Sequence, residues 1–211
     1  MSFKLSNHNI IFIHPPKCGG SSITEALKAS NFIGEIVTHN GVHQSIKLLN
    51  SVGFTGDEYF VTVRNPYDRF YSFYHFQIEW DKKRLLGDLP LNGQNRDLLI
   101  SRVENLEKIK FDGWVKLLIN DFDRHRWINI FRVPDAFSNQ ISWYKGQTNK
   151  PVNTFKIEDD TVWSYLQNKG YDISKKHIKK STYKTKPYTQ EQKDIVYKYF
   201  KHDFEELQYE D

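Results

Sequence analysis

Ile11-Phe-Ile-His-Pro-Pro-Lys-Cys-Gly-Gly-Ser-Ser-Ile23 is the stretch that decides the fold. With Asn9 and Ile10 in front of it, its first part is a compact apolar run stopped by Pro15 and Pro16, which reads as a short buried strand over Asn9–His14. A loop bearing one lysine and two glycines follows, and then a helix from about Ser21 to Ala29, with Ser22 and Glu25 at capping-box spacing. A helix N-terminus at the end of a strand offers free N–H groups and the positive end of a dipole, which together make an anion site. Gly19 and Gly20 let the backbone come close to the anion, Ser21 and Ser22 can donate hydroxyls, and Lys17 adds a point charge. The triphosphate fingerprint Gly-x4-Gly-Lys-Ser/Thr is absent, because here the lysine precedes the glycines. That order disfavours an ATPase or GTPase. A glycine turn that merely joins strand to helix is the bland alternative.

Further along, Glu58–Val63 is rich in aromatic and β-branched residues and reads as a second buried strand. It runs into Arg64-Asn65-Pro66, with Pro66 suited to the first turn of a helix whose apolar stripe is Tyr67, Phe70, Tyr71, Tyr74 and Ile78. In isolation this could be a plain helix start, with Asp68 and Arg69 as a surface pair. A second extended piece falls near Glu35–Thr38 and a short helix over Gln44–Asn50. Leu85–Asn95 reads as a loop, Asp97–Ile109 and Gly113–Asn120 as helices, and Asp121–Lys150 as mostly irregular. A late strand over Asn153–Ile157, a helix over Asp160–Asn168, and a last helix opened by a Thr189–Gln192 capping box complete the pattern. Strands alternating with helices predict an α/β fold, a P-loop-like parallel sheet flanked by helices, with residues 1–211 as a single domain.

Composition narrows the setting. Charged residues are 27% and aromatics 15% of 211 residues, which is globular and not disordered. No stretch approaches the ~20 apolar residues of a bilayer span, and Met1–Asn9 lacks the apolar core of a signal peptide. One cysteine, Cys18, permits no internal disulfide, so the cytoplasm is the expected location. The net charge of +4 is mild, yet Lys175, Lys176, Lys179, Lys180, Lys184 and Lys186 fall in a run without an acidic residue. Such a run attracts an anionic ligand or a polyanion, unless it is simply a solvated loop.

Pro16-Lys17-Cys18-Gly19-Gly20-Ser21-Ser22 resembles the 5′-phosphosulfate loop of the PAPS-dependent sulfotransferase superfamily, where PAPS is 3′-phosphoadenosine 5′-phosphosulfate. The nearest form is the Pro-Lys-Thr-Gly-Gly-Thr-Ser type of carbohydrate sulfotransferases and bacterial relatives. Cys18 departs from the common threonine, which removes a hydroxyl contact but leaves the main-chain ones. Val61-Thr-Val-Arg-Asn-Pro-Tyr-Asp-Arg-Phe-Tyr-Ser72 is similar to the family's 3′-phosphate segment, an arginine at a strand end followed eight residues later by a helical serine. Arg64 and Ser72 fill those places, and a guanidinium suits bidentate phosphate recognition. Weaker likeness extends over Thr154–Glu158 and the C-terminal helix, and places Lys180 and Ser181 as further phosphate contacts. Residues 85–150 match poorly.

The resemblance implies sulfuryl transfer from PAPS to an acceptor hydroxyl, a saccharide by analogy, with no metal, no nucleic-acid partner and no membrane span. Lys17 would stabilise charge on the leaving phosphate oxygen. The acceptor needs a base, and Thr38–Ser45 offers His39 and His43. Heparan sulfate 2-O-sulfotransferase-like enzymes carry a histidine about twenty residues before Arg-x-Pro; His43 lies 21 before Arg64 and is the first choice, His39 the second. A capping or packing role is the alternative for His43. A metal site from the two histidines is disfavoured by Gly41 between them and by the lack of a nearby Glu or Cys ligand. His14 is expected to shape the loop, and Trp143-Tyr144 to face the acceptor. The competing readings are a nucleotide-dependent phosphotransferase and a non-catalytic polyanion or nucleic-acid binder using the lysine run.

Overall fold

The computed structural model describes residues 2–36, 43–91, 93–131, 134–173 and 188–210. In chain order the elements are β1 (Phe3–Leu5), β2 (Ile10–Ile13), α1 (Gly20–Ala29), β3 (Ile33–Ile36), α2 (Ile46–Ser51), β4 (Glu58–Val63), α3 (Pro66–Leu86), α4 (Arg96–Lys116), α5 (Asp121–Phe131), two 3₁₀ turns (Pro134–Phe137 and Ile141–Trp143), β5 (Val152–Lys156), α6 (Thr161–Asn168), α7 (Gln190–Tyr199) and α8 (Lys201–Leu207). Two compact units result, one from residues 1–65 and 139–182, the other from 66–138 and 183–211. His39 and the lysine run, Lys180 and Ser181 included, lie outside the described residues.

The first unit holds the sheet, in the order β3-β1-β2-β4-β5. β2, β4 and β5 are parallel, in register from Ile10 opposite Glu58 to Ile13 opposite Val61, and from Tyr59 opposite Val152 to Val63 opposite Lys156. Both motif-bearing strands therefore end at one edge, the edge where open α/β sheets bind ligands. β1 runs antiparallel to β2 and β3 and adds a flank that the sequence did not reveal, since three residues are too few to show a period. Ile10–Ile13 is buried at every position, as a central strand with no solvent face must be. Phe12 stacks on Phe60 with ring centres 4.7 Å apart, and Ile23 and Leu27 of α1 join Val162 and Leu166 of α6 in the same core. Truncating Leu27 there would cost about 2–5 kcal/mol.

The second unit is helical. Phe70, Phe111, Trp114, Phe137, Phe200 and Phe204 form its core, with Trp114 stacked on Phe70 at 5.5 Å. Arg69 is not a surface residue: it is 1% exposed and donates to the carbonyls of Ser138 (2.8 Å) and Asp135 (2.9 Å). Buried Asp81 takes two hydrogen bonds from Arg102, each 2.5 Å, tying α3 to α4. The gap read between Ile109 and Gly113 is a kink at Lys110, whose φ is 54°. α5 occupies part of the segment read as irregular; with no fully buried residue among those described, it lacks the apolar stripe that would have shown it.

One cap is misplaced in the sequence reading. α1 starts at Gly20 behind a left-handed Gly19, with no side-chain cap, so Ser22 and Glu25 sit inside the helix and form no box. The Thr189–Gln192 box of α7 is complete. Among the described residues, no helix is long and apolar enough to cross a membrane.

Candidate active site

The loop after β2 turns on two left-handed residues, Lys17 (φ 67°) and Gly19 (φ 76°), on either side of Cys18. A lysine there is strained by roughly 1 kcal/mol or more, and such strain persists where the surroundings impose it. Turns of this kind aim successive N–H groups into one concavity, which suits an anion. α1 reinforces this: it has no capping side chain at Gly19 and no acidic residue in its first turn, so the helix itself supplies nothing to neutralise the positive end of its dipole. Gly20 is required by contact, because a Cβ placed there would lie 2.0 Å from the His14 ring. Lys17, Ser21 and Ser22 are half-buried along this loop and first turn, whereas Pro16 and Cys18 are buried. These groups are backbone donors, two hydroxyls and a cation, a set that suits an anion.

His43 reaches the same place from a distant part of the chain. Its Nδ1 lies 2.9 Å from the carbonyl oxygen of His14, the residue that leads from β2 into the loop. A carbonyl only accepts, so Nδ1 carries the proton and the neutral ring keeps its lone pair on Nε2. The ring stands edge-on to His14 (4.6 Å, 73°) and to Trp143 (6.4 Å, 85°), which fixes its plane. His14 is itself buried and stacked on Phe12 at 5.6 Å. Trp143 and Tyr144 are each only 8% exposed, so Trp143 backs His43 instead of offering an open face. The arrangement can accept a proton at Nε2 beside the Lys17–Gly19 turn.

Arg64 follows the last residue of β4 and is half-buried. Its main chain is clasped by Gln140: the Arg64 N–H donates to Oε1 and the Gln140 Nε2 donates to the Arg64 carbonyl, both at 2.8 Å. The Cys18 thiol donates to the same Oε1, 2.8 Å away. Beyond Arg64, the Asn65 N–H donates to Glu158 Oε1 at 2.8 Å, and Ile157 N–H to the Val63 carbonyl at 2.9 Å. Gln140 is a site residue that sequence reasoning missed. Its partners are 122 and 76 residues away, and no local pattern announces it.

Ser72 lies half-buried on α3, in the second unit. A cleft of about 330 Å³ in that unit, lined by Ile109, Gly113, Leu117 and Trp127 among others, contains no residue of either motif. Among the described residues, no three His, Cys, Asp or Glu side chains cluster as a metal site would require. No curated protein and no solved structure is similar enough to the chain to count as a match. A family model does match, across nearly the whole length: over residues 3–210 the chain fits the sulfotransferase family, and it belongs to that family of sulfuryl-transferring enzymes.

Proposed function

We propose that this sulfotransferase takes its sulfuryl group from 3′-phosphoadenosine 5′-phosphosulfate and passes it to a carbohydrate hydroxyl, with residues 1–211 working as one domain in the cytoplasm. The observation that carries the reading is the uncapped α1 N-terminus behind the Lys17–Gly19 turn, with His43 held beside it through Nδ1. The donor supplies an activated sulfur whose bond to the 5′-phosphate oxygen breaks as the acceptor oxygen attacks. His43 Nε2 takes the acceptor's proton, and the His14 carbonyl keeps the ring in the tautomer that can do so. Lys17 and the N–H groups of the turn offset the negative charge left on the 5′-phosphate, assisted by Ser21 and Ser22. Arg64 and Ser72 bind the 3′-phosphate, Lys180 and Ser181 add contacts to it, and His39 is the second candidate for the base. None of these steps calls for a metal.

Calorimetric titration with 3′-phosphoadenosine 5′-phosphate, without added metal, tests the donor half of this reading. Micromolar binding that collapses in Arg64→Ala and weakens in Lys17→Ala is the expected outcome. Binding indifferent to the 3′-phosphate would overturn it and favour a different phosphate ligand, and a requirement for metal would point to phosphoryl chemistry.

A further inference from the structure

β2 and β4 are hydrogen-bonded as far as Ile13 and Val61, yet Lys17, Cys18 and Arg64, which carry the anion chemistry, lie beyond that last pair. Gln140 spans the gap. Its amide exchanges two 2.8 Å hydrogen bonds with the main chain of Arg64, the same two-bond exchange that a residue on a neighbouring strand makes. The amide orientation is fixed, because only one way round satisfies both an N–H and a carbonyl. Its Oε1 also receives the Cys18 thiol at 2.8 Å, which joins the turn after β2 to the end of β4. Gln140 and Cys18 are both 0% exposed, so water cannot stand in for any of these bonds. Glu158 and Ile157 hold the flanking residues Asn65 and Val63, so the backbone that presents the guanidinium is fixed on each side.

We propose that Gln140 is a positioning residue that locks Arg64 in register with the Cys18 turn, and so sets the preference for donors that carry a 3′-phosphate. This rests on the donor assignment above. A ligand that fills the turn and also reaches Arg64 is bound by two halves of the site held at a fixed spacing. When Gln140 is replaced, each half still binds its own group, but the gain from binding both is lost.

The test is titration of 3′-phosphoadenosine 5′-phosphate and of adenosine 5′-phosphate against wild type, Gln140→Met, Cys18→Ala, Arg64→Ala and the Gln140→Met/Arg64→Ala double variant. The readout is the ratio of the two affinities. Gln140→Met should lower that ratio about tenfold, with adenosine 5′-phosphate binding changed by less than about threefold, the scale of one or two buried hydrogen bonds. In the Arg64→Ala background the same substitution should leave the ratio unchanged. A general loss of structure would weaken both ligands alike and would persist without Arg64. Should Gln140→Met fail to fold by circular dichroism, Cys18→Ala, which removes only the thiol arm, should shift the ratio in the same direction by about threefold. An unchanged ratio in a folded Gln140→Met, or in Cys18→Ala where that is the variant left, overturns the proposal while the donor assignment stands. A wild type with no preference for the 3′-phosphate overturns the donor assignment itself.

Discussion

Glu58 opens β4 and Arg64 follows its last residue, and the two ends of this strand treat their charges differently. At the first end the Glu58 carboxylate accepts from Asn153 (2.6 Å), Tyr165 (2.8 Å) and Lys169 (2.6 Å), and the Lys169 ammonium lies 5.6 Å from the Tyr165 ring centre. Anion and cation neutralise one another within a few ångströms. At the other end, the turn and the start of α1 gather donors and positive charge without an acid in the helix's first turn, while the Arg64 backbone is held by neutral Gln140. A closed set of charges binds nothing further and contributes to folding. A helix start with no acid in its first turn keeps the positive end of its dipole for an anion that arrives from outside. On this comparison, substitutions at the Glu58 end should change stability and spare chemistry, and substitutions at the Arg64 end should do the reverse.

The largest effect expected is from His43→Ala. Transfer of labelled sulfuryl to a panel of oligosaccharides should fall by about 10³-fold, with 3′-phosphoadenosine 5′-phosphate binding within about twofold of wild type. Equal losses of binding and transfer would mean that His43 is a packing residue. Gly20→Ala should come next: its Cβ must displace the His14 ring, which stands edge-on to the ring of His43. A cost of about 1–3 kcal/mol in stability, together with loss of donor affinity, is expected from denaturant titration and calorimetry. Unaltered binding would show that the ring can move aside freely.

The opposite end is tested by Glu58→Gln, which should cost about 1–2 kcal/mol in stability and leave transfer unaffected. Burial alone would raise the Glu58 pKa, but the hydrogen bonds from Lys169, Tyr165 and Asn153, with the charge of Lys169, outweigh it and hold the carboxyl below its usual value. A lowered folded-state pKa means stabilisation that is present above the unfolded carboxylate's pKa and lost as pH falls through the folded one. As the pH falls below the ordinary carboxylate value of 4.5, the melting temperature of wild type should therefore drop toward that of Glu58→Gln. Parallel curves would remove Glu58 from the acid limb. Cys18→Ser should have the smallest effect, less than about twofold in donor affinity, since a hydroxyl can still donate to Gln140.

What could be read in the sequence was local. Strand, turn and helix over Ile11–Ile23 lie within one short window, and so do Glu58–Val63 with Arg64 and the helix that follows. His43 was reached through the family resemblance, in which a histidine precedes Arg-x-Pro by about that interval, and the structure sets it against the His14 carbonyl. What escaped was either too short or too distant. β1 is three residues long, and its role exists only through pairing. The start of α1 is set by the backbone at Gly19, so a capping signature at Ser22 and Glu25 was misleading. Arg69 looked like a surface charge because arginine is rarely buried, and its hydrogen bonds to the carbonyls of Asp135 and Ser138 help to make its burial tolerable. Gln140 acts on backbone brought to it by the fold, which no residue type advertises.

Cys18, the chain's single cysteine, is fully buried with its sulfur against Gln140. A thiol reagent can therefore modify only those molecules whose turn has sprung open, and the rate of labelling counts the openings. The protein carries its own stopwatch for the donor turn: a nucleotide that seats there should slow the clock in proportion to its occupancy, with no reporter group to install.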